Sequence, residues 1–224
     1  MVGVMTLYRS SIGKKVIMAV TGAMLIGFVL FHLYGNLKVF SGPEAFNSYA
    51  EGLREIGYPL FGRLHILTIL RIGLIGAFGL HIWSAVELSR QSRASRPVVY
   101  AQHKKLSSDY ANLTIRWGGT VIALFLIYHL LHLTFGVAHP NFEAHDAYHN
   151  VIVGFQSPVV IIYFIALIAL GLHLYHATWS MFQTLGFNKK SYEKPLRLLG
   201  LGLAVVVTGG FMIIPLAVII GVVH

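Results

Sequence analysis

Apolar residues in this chain run in five long blocks divided by shorter polar stretches. The blocks cover roughly 15–37, 60–87, 115–137, 157–184 and 197–222. Each meets the requirement of about 20 mainly apolar residues for a helix that crosses a bilayer. The pattern predicts an all-α membrane protein, a bundle of five transmembrane helices forming one domain over 1–224, with no internal repeat. The first block does not read as a secretory signal: it is long enough to span, and no small-residue cleavage site closes it before the polar stretch from Asn36. After it, Ser41-Gly42-Pro43-Glu44 has the form of a helix-start box, and Phe46, Tyr49, Ala50, Leu53 and Ile56 recur at helical spacing. A short amphipathic helix is expected there, lying on the membrane face or capping the bundle. A weaker second one is expected within 141–153.

Composition narrows the class. The chain is 56% hydrophobic and 11% charged, against about 45–50% and about 25% in soluble domains, which excludes a soluble globular domain and a disordered chain. It has no cysteine, which removes disulfides, thiolate zinc sites, protein-ligated iron–sulfur clusters and Cys-x-x-Cys-His haem attachment. Lys and Arg outnumber Asp and Glu by 17 to 8, a balance that would suggest nucleic acid for a soluble protein. In a membrane protein basic residues gather in cytoplasmic loops instead, so no nucleic-acid partner is expected. Arg9, Lys14 and Lys15 precede the first block. Arg90, Arg93, Arg96, Lys104, Lys105 and Arg116 lie between the second and third, and Lys189, Lys190, Lys194 and Arg197 between the fourth and fifth. With five spans these segments share one side, while the other has only Lys38, Arg54 and Arg63. The expected orientation is N-terminus cytoplasmic and C-terminus outside.

Ionisable groups inside a span are expensive and mark function by default. The spans hold His32, His65, His81, His129, His132, His173, His176 and Arg71. His32, His129 and His132 fall towards the outer end of their spans, and His81, His173 and His176 towards the inner end. Four helices therefore supply histidine at two levels, two helices per level. This arrangement suits two b-type haems, each clamped between two helices, with the second imidazole nitrogen donating to an acceptor such as a backbone carbonyl. Copper or zinc transport and purely structural histidines are the alternatives. A transporter would more naturally show broken helices around a midplane polar site. Spacing leaves the ligands open within two helices: His129 and His132 are three apart, as are His173 and His176, so each pair lies near one face. Depth leans towards His132 and His176.

Ordered pieces of the chain carry a family resemblance. They are Ser10-Ser11-Ile12-Gly13-Lys14-Lys15, Phe31-His32-Leu33-Tyr34-Gly35-Asn36, Glu44-Ala45-Phe46-Asn47-Ser48-Tyr49 and Gly79-Leu80-His81. To these are added Arg116 with His129 thirteen residues later, and His173 with Trp179-Ser180 six residues later. In order and spacing the chain resembles the di-haem cytochrome b membrane-anchor subunit of the succinate dehydrogenase/fumarate reductase (succinate:quinone oxidoreductase) family, of the five-helix single-subunit type. The resemblance implies an inner haem b held by His81 and His173 and an outer one held by His32 and His129. His132 and His176 then become neighbours of the haems, or helix-packing histidines bonded to backbone carbonyls. The resemblance also implies a complex in the cytoplasmic membrane of a prokaryote. A flavoprotein subunit with FAD would oxidise succinate, and an iron–sulfur subunit would pass electrons to this anchor. Those cofactors would sit on the partner subunits, and a higher oligomer of the complex stays open. The basic inner face suits partner docking, and topology signalling with anionic-lipid contact accounts for the same charges.

Further candidates follow. Arg71 is expected deep in the bilayer, between the two levels, as a partner for a haem propionate. For quinone, Glu51 and Glu55 are candidates at the outer end, and Asp109, Tyr110 and Arg116 at the inner end. A second haem level suggests delivery across much of the roughly 30 Å hydrocarbon core, hence a low-potential quinone such as menaquinone at the outer end. His139, His145 and His149 form a loop cluster in which a His145/His149 metal pair on a helix competes with plain exposed histidines. Cytochrome b subunits of formate dehydrogenase or hydrogenase also use paired membrane histidines. A histidine-rich metal transporter is the reading from a different class.

Overall fold

The computed structural model describes residues 10–95, 107–187 and 189–224, with the backbone alone for 107–114. Among the described residues every regular element is helical: α1 (Ser11–Leu37), a 3-10 turn (Lys38–Ser41), α2 (Pro43–Arg54), α3 (His65–Ala94), α4 (Ser107–His129), a π turn (Leu130–Thr134), α5 (Ala147–Phe155), α6 (Val160–Thr184) and α7 (Lys190–Ile219). Five segments are long and apolar enough to cross a membrane: Ser11–Ser41, His65–Ala94, Ile115–Thr134, Val160–Thr184 and Lys190–Ile219.

At one end the helices overrun the apolar blocks, most clearly where α3 runs on to Ala94 and α7 starts at Lys190, and at the other they stop short of them, with α3 starting at His65 and α7 ending at Ile219. Hydropathy marks the slab a helix crosses, whereas the backbone ladder continues wherever side chains support it. Here Glu87–Arg90 and Glu193–Arg197 pairs, at 3.4 Å and 3.1 Å, lie along the charged extensions, exposed pairs that add little each. Specific caps set the helix starts at both ends of the bundle. Ser10 accepts from the Gly13 N–H at 2.9 Å to start α1. Gly42, at φ 90°, is the N-cap of α2 with Pro43 in its first turn, so the helix starts one residue later than a Ser41 cap would set it, and Ile56 lies beyond its end.

α1 and α6 form the centre of the bundle. α3 packs on α1, α4 packs on α6, and α7 packs on α6 and α1. No comparable backbone packing joins α1 to α4 or α3 to α6 among the described residues. The α1–α3 register is set at the end rich in basic residues, called the basic end here. Lys14, 6% exposed, reaches Glu87 at 2.9 Å and lies over the Trp83 ring. At the opposite, capped end, α2 and α5 fold over the bundle. Phe46 and Tyr148 meet at 6.2 Å between ring centres, within a core shared with Val39, Phe155, Tyr163 and Ile214. The amphipathic α2 is thus a cap packed on the bundle.

A carboxylate ties the two cap helices together. Asp146 accepts from the His149 N–H at 2.8 Å to cap α5 and from the Asn47 side-chain amide at 3.0 Å, while Asn47 Oδ1 accepts from the Tyr148 N–H. The His149 backbone bond, followed by the Asn47 amide, holds the Asp146 carboxyl below its usual range. A depressed carboxyl contributes stability that is present above its unfolded-state pKa and lost as pH falls through the lowered one. Asp146→Ala is expected to cost about 1 kcal/mol at neutral pH. In thermal unfolding in detergent, its deficit against the native chain should shrink below about pH 4; a deficit independent of pH would contradict the assignment.

Candidate cofactor site: two facing histidine pairs

The bundle brings four imidazoles together two by two. His81 on α3 faces His173 on α6 with ring centres 6.3 Å apart and planes at 69°. His32 on α1 faces His129 on α4 at 5.9 Å and 86°. Each pair reaches across helices whose backbones, among the described residues, do not pack closely on one another. The His81/His173 pair lies nearer the basic end, and the His32/His129 pair nearer the cap.

His81 has the local support of a metal ligand. Its Nδ1 lies 3.2 Å from the Met18 carbonyl oxygen and 3.3 Å from Thr21 Oγ1. Thr21 Oγ1 lies 2.7 Å from the Ile17 carbonyl, to which it donates. A carbonyl can only accept, so Nδ1 donates to it and carries the proton, leaving the lone pair on Nε2. This is the second bond that fixes a ligating imidazole. Opposite it, His173 lies against the Ile115 carbonyl of α4 without completing a well-aligned bond through Nδ1, and in the other pair Nδ1 of His129 is buried without a hydrogen-bond partner. Buried polar atoms without partners are rare and mark places where an ion, water or ligand completes the set. Glycine leaves room beside the basic-end pair: a Cβ at Gly22 would lie 3.3 Å from His81 Cε1, and one at Gly119 3.8 Å from His173 Cε1. At the other pair, Phe28 stacks on His32 at 5.4 Å and Phe211 lies against it at 5.7 Å.

Two metal–nitrogen bonds of about 2 Å each, plus two ring half-widths, ask for about 6 Å between ring centres. Both pairs meet that spacing, so their ring separation fits an ion held between two imidazoles. Among the described residues no three His, Asp or Glu side chains converge as a metal-holding group. The histidines meet in twos.

The structure separates the two alternatives within each helix. His176 bonds through Nδ1 to the carbonyl of Leu172 on its own helix, at 3.0 Å, and the ring facing His81 is that of His173. His132 lies in the π turn that begins directly after His129, closed by the Phe135 N–H to Leu130 carbonyl bond at 2.8 Å. The wider turn swings His132 off the His129 face and buries it completely. Its Nδ1 meets Tyr163 OH at 2.8 Å, its ring lies 5.0 Å from that of His139, and its Nε2 has no partner. π turns of this kind concentrate at functional sites.

The remaining candidates are scattered. Arg71 is exposed on α3. The Lys14–Glu87 and Thr21–His81 contacts set it across from the Leu30–His32 stretch of α1, level with the His32/His129 pair and not between the two levels. Glu51 is engaged by Arg54 at 2.7 Å and by Arg63, and Glu55 by Arg63 at 3.5 Å. Arg116 is exposed on α4, and the side chains of Asp109 and Tyr110 lie outside the described part. His145 precedes the N-cap of α5 with φ 74°, so it is not one helical turn from His149, and of the two readings the helical metal pair falls away. His139 is held between the Asn150 carbonyl at 2.9 Å and the Asn141 N–H at 3.1 Å.

The chain matches no protein-family model, no curated protein and no solved structure.

Sequence reasoning passed over Met18, Thr21 and Tyr163. A tyrosine inside an apolar helix is the available signal, because a buried phenol seeks a partner. Here that partner is His132. Tyr163→Phe leaves His132 with neither ring nitrogen bonded and is expected to cost about 1–3 kcal/mol, read as a lowered thermal midpoint in detergent. An unchanged midpoint would show that the bond carries no stability.

Proposed function

We propose that this chain is the membrane-anchor and electron-transfer subunit of a succinate:quinone oxidoreductase in a prokaryotic cytoplasmic membrane. It would hold two haems b and relay electrons from an iron–sulfur partner subunit to a membrane quinone of the menaquinone class. The observation that carries this reading is the meeting of His81 with His173 and of His32 with His129, at 6.3 Å and 5.9 Å and at two depths of one bundle. When bound, a haem held by two histidines would supply one-electron transfer.

The chain's own residues divide the work. The Met18 carbonyl and Thr21 fix the His81 ring through Nδ1 and leave Nε2 free to ligate. Phe28 and Phe211 press on His32. In this reading the basic end faces the cytoplasm, where the flavoprotein and iron–sulfur subunits dock. Two histidine levels favour a quinone site towards the cap, near the end that carries Glu51 and Glu55. Electrons moved from the inner to the outer level run from the negative to the positive side of the membrane, so the membrane potential aids them, by about 2.3 kcal/mol per charge per 100 mV for the full crossing, which suits a low-potential quinone.

The complex purified through this chain is expected to carry flavin and iron–sulfur subunits and to reduce a menaquinone analogue with succinate. Hydrogenase or formate dehydrogenase partners in their place would overturn the succinate assignment. Within the complex, His173→Ala is expected to remove one of two resolved haem b bands while His176→Ala keeps both, because the His176 ring is bonded to its own helix. Loss of that band from His176→Ala alone would overturn the ligand assignment.

A further inference from the structure

At the basic end, α6 and α7 enclose a surface groove of about 400 Å3 that the haem reading does not use. Lys190, Glu193, Lys194, Arg197, Leu198 and Leu201 line it from α7, and Tyr175 from α6. The α7 residues fall at spacings of three, one, three, one and three, which places them along one helix face. The face grades from cations at the start of the helix to leucines about 16 Å further on. Arg197 is fixed at one edge: it bonds Glu193 through Nε at 3.2 Å and Nη2 at 3.1 Å, and it lies over the Trp179 ring at 5.0 Å. That pair balances its own charge. Lys190 and Lys194 are exposed and have no acidic partner among the described residues, so the groove keeps two uncompensated positive charges.

We propose that this groove binds an anionic glycerophospholipid, its phosphate headgroup on Lys190 and Lys194 and the first part of an acyl chain along Leu198 and Leu201. Basic pockets between membrane helices recognise acidic lipid headgroups in this way. A docked soluble subunit would also suit the lysines, but Leu198 and Leu201 continue the same face into the apolar length of α7, which a soluble protein does not reach. Trp179 and Tyr175 beside the groove are the aromatics that sit at headgroup level. The assignment needs only that α6 and α7 cross the membrane, so it stands or falls separately from the histidine pairs.

Full-length protein, stripped of lipid in detergent, is titrated with phosphatidylglycerol, phosphatidylcholine and inorganic phosphate, and bound lipid is counted by native mass spectrometry. Phosphatidylglycerol is expected to bind in preference to both others. Lys190→Gln with Lys194→Gln should weaken it about thirtyfold at low salt and leave phosphatidylcholine unchanged. Lys15→Gln with Arg93→Gln removes equal charge elsewhere at the same end and should leave the affinity intact. Equal binding of the two lipids, phosphate binding as tight as lipid, or an equal loss from the control pair would overturn the site. So would unchanged lipid binding in the Lys190/Lys194 variant accompanied by loss of a co-purifying soluble subunit, which would assign the face to a protein partner.

Discussion

An imidazole buried among apolar helices must find partners for two nitrogens, and four of these helices place one facing another across the bundle, with a ring nitrogen of His129 left without a partner. Leaving such an atom unsatisfied costs about 1–3 kcal/mol, and in hydrocarbon no water can complete the set. The arrangement persists across two gaps, between α3 and α6 and between α1 and α4, each bridged by facing rings. The rest of the bundle is consistent with holding those gaps at a fixed width. α1 and α6 pack at the centre, α3 and α4 lean on them from outside, and the contact of α1 with α3 is locked at Lys14–Glu87.

The two ends of the molecule solve different problems. At the basic end the helices run past the apolar slab as charged extensions, and an apolar face of α7 merges into uncompensated lysines. At the capped end α2 and α5 close over the bundle through Asp146, Asn47 and the Phe46–Tyr148 contact. Under that cap the π turn sends His132 towards Tyr163 and away from His32. The same turn therefore fixes which histidine of α4 faces the gap. It also creates a fully buried histidine whose remaining nitrogen is unpartnered.

Much of this architecture is legible in the residues, for physical reasons. Apolar block length names the five helices, and a histidine within such a block is rare enough to be informative. Helix spacing cannot choose between residues three apart, and here the choice turns on features with no local signature. No proline or glycine within Leu130–Thr134 announces the π turn. The preference of His176 for the Leu172 carbonyl is a matter of rotamer. Lys14 meeting Glu87, and Arg71 standing level with His32, depend on the register of two antiparallel helices, which emerges only when both are packed. Helix ends were less legible, because Lys190 and Arg93 are polar yet helical. His145 and His149 show the same limit from the other side: their spacing is helical, and the helix begins between them.

The central claim is that each facing pair holds one haem, so the decisive quantity is haem bound per chain in an intact preparation. Haem b measured against protein mass is expected at two per chain, with the low-spin signature of two histidine ligands at each iron. One haem per chain would leave one of the two gaps without its proposed occupant, and none would contradict the account altogether.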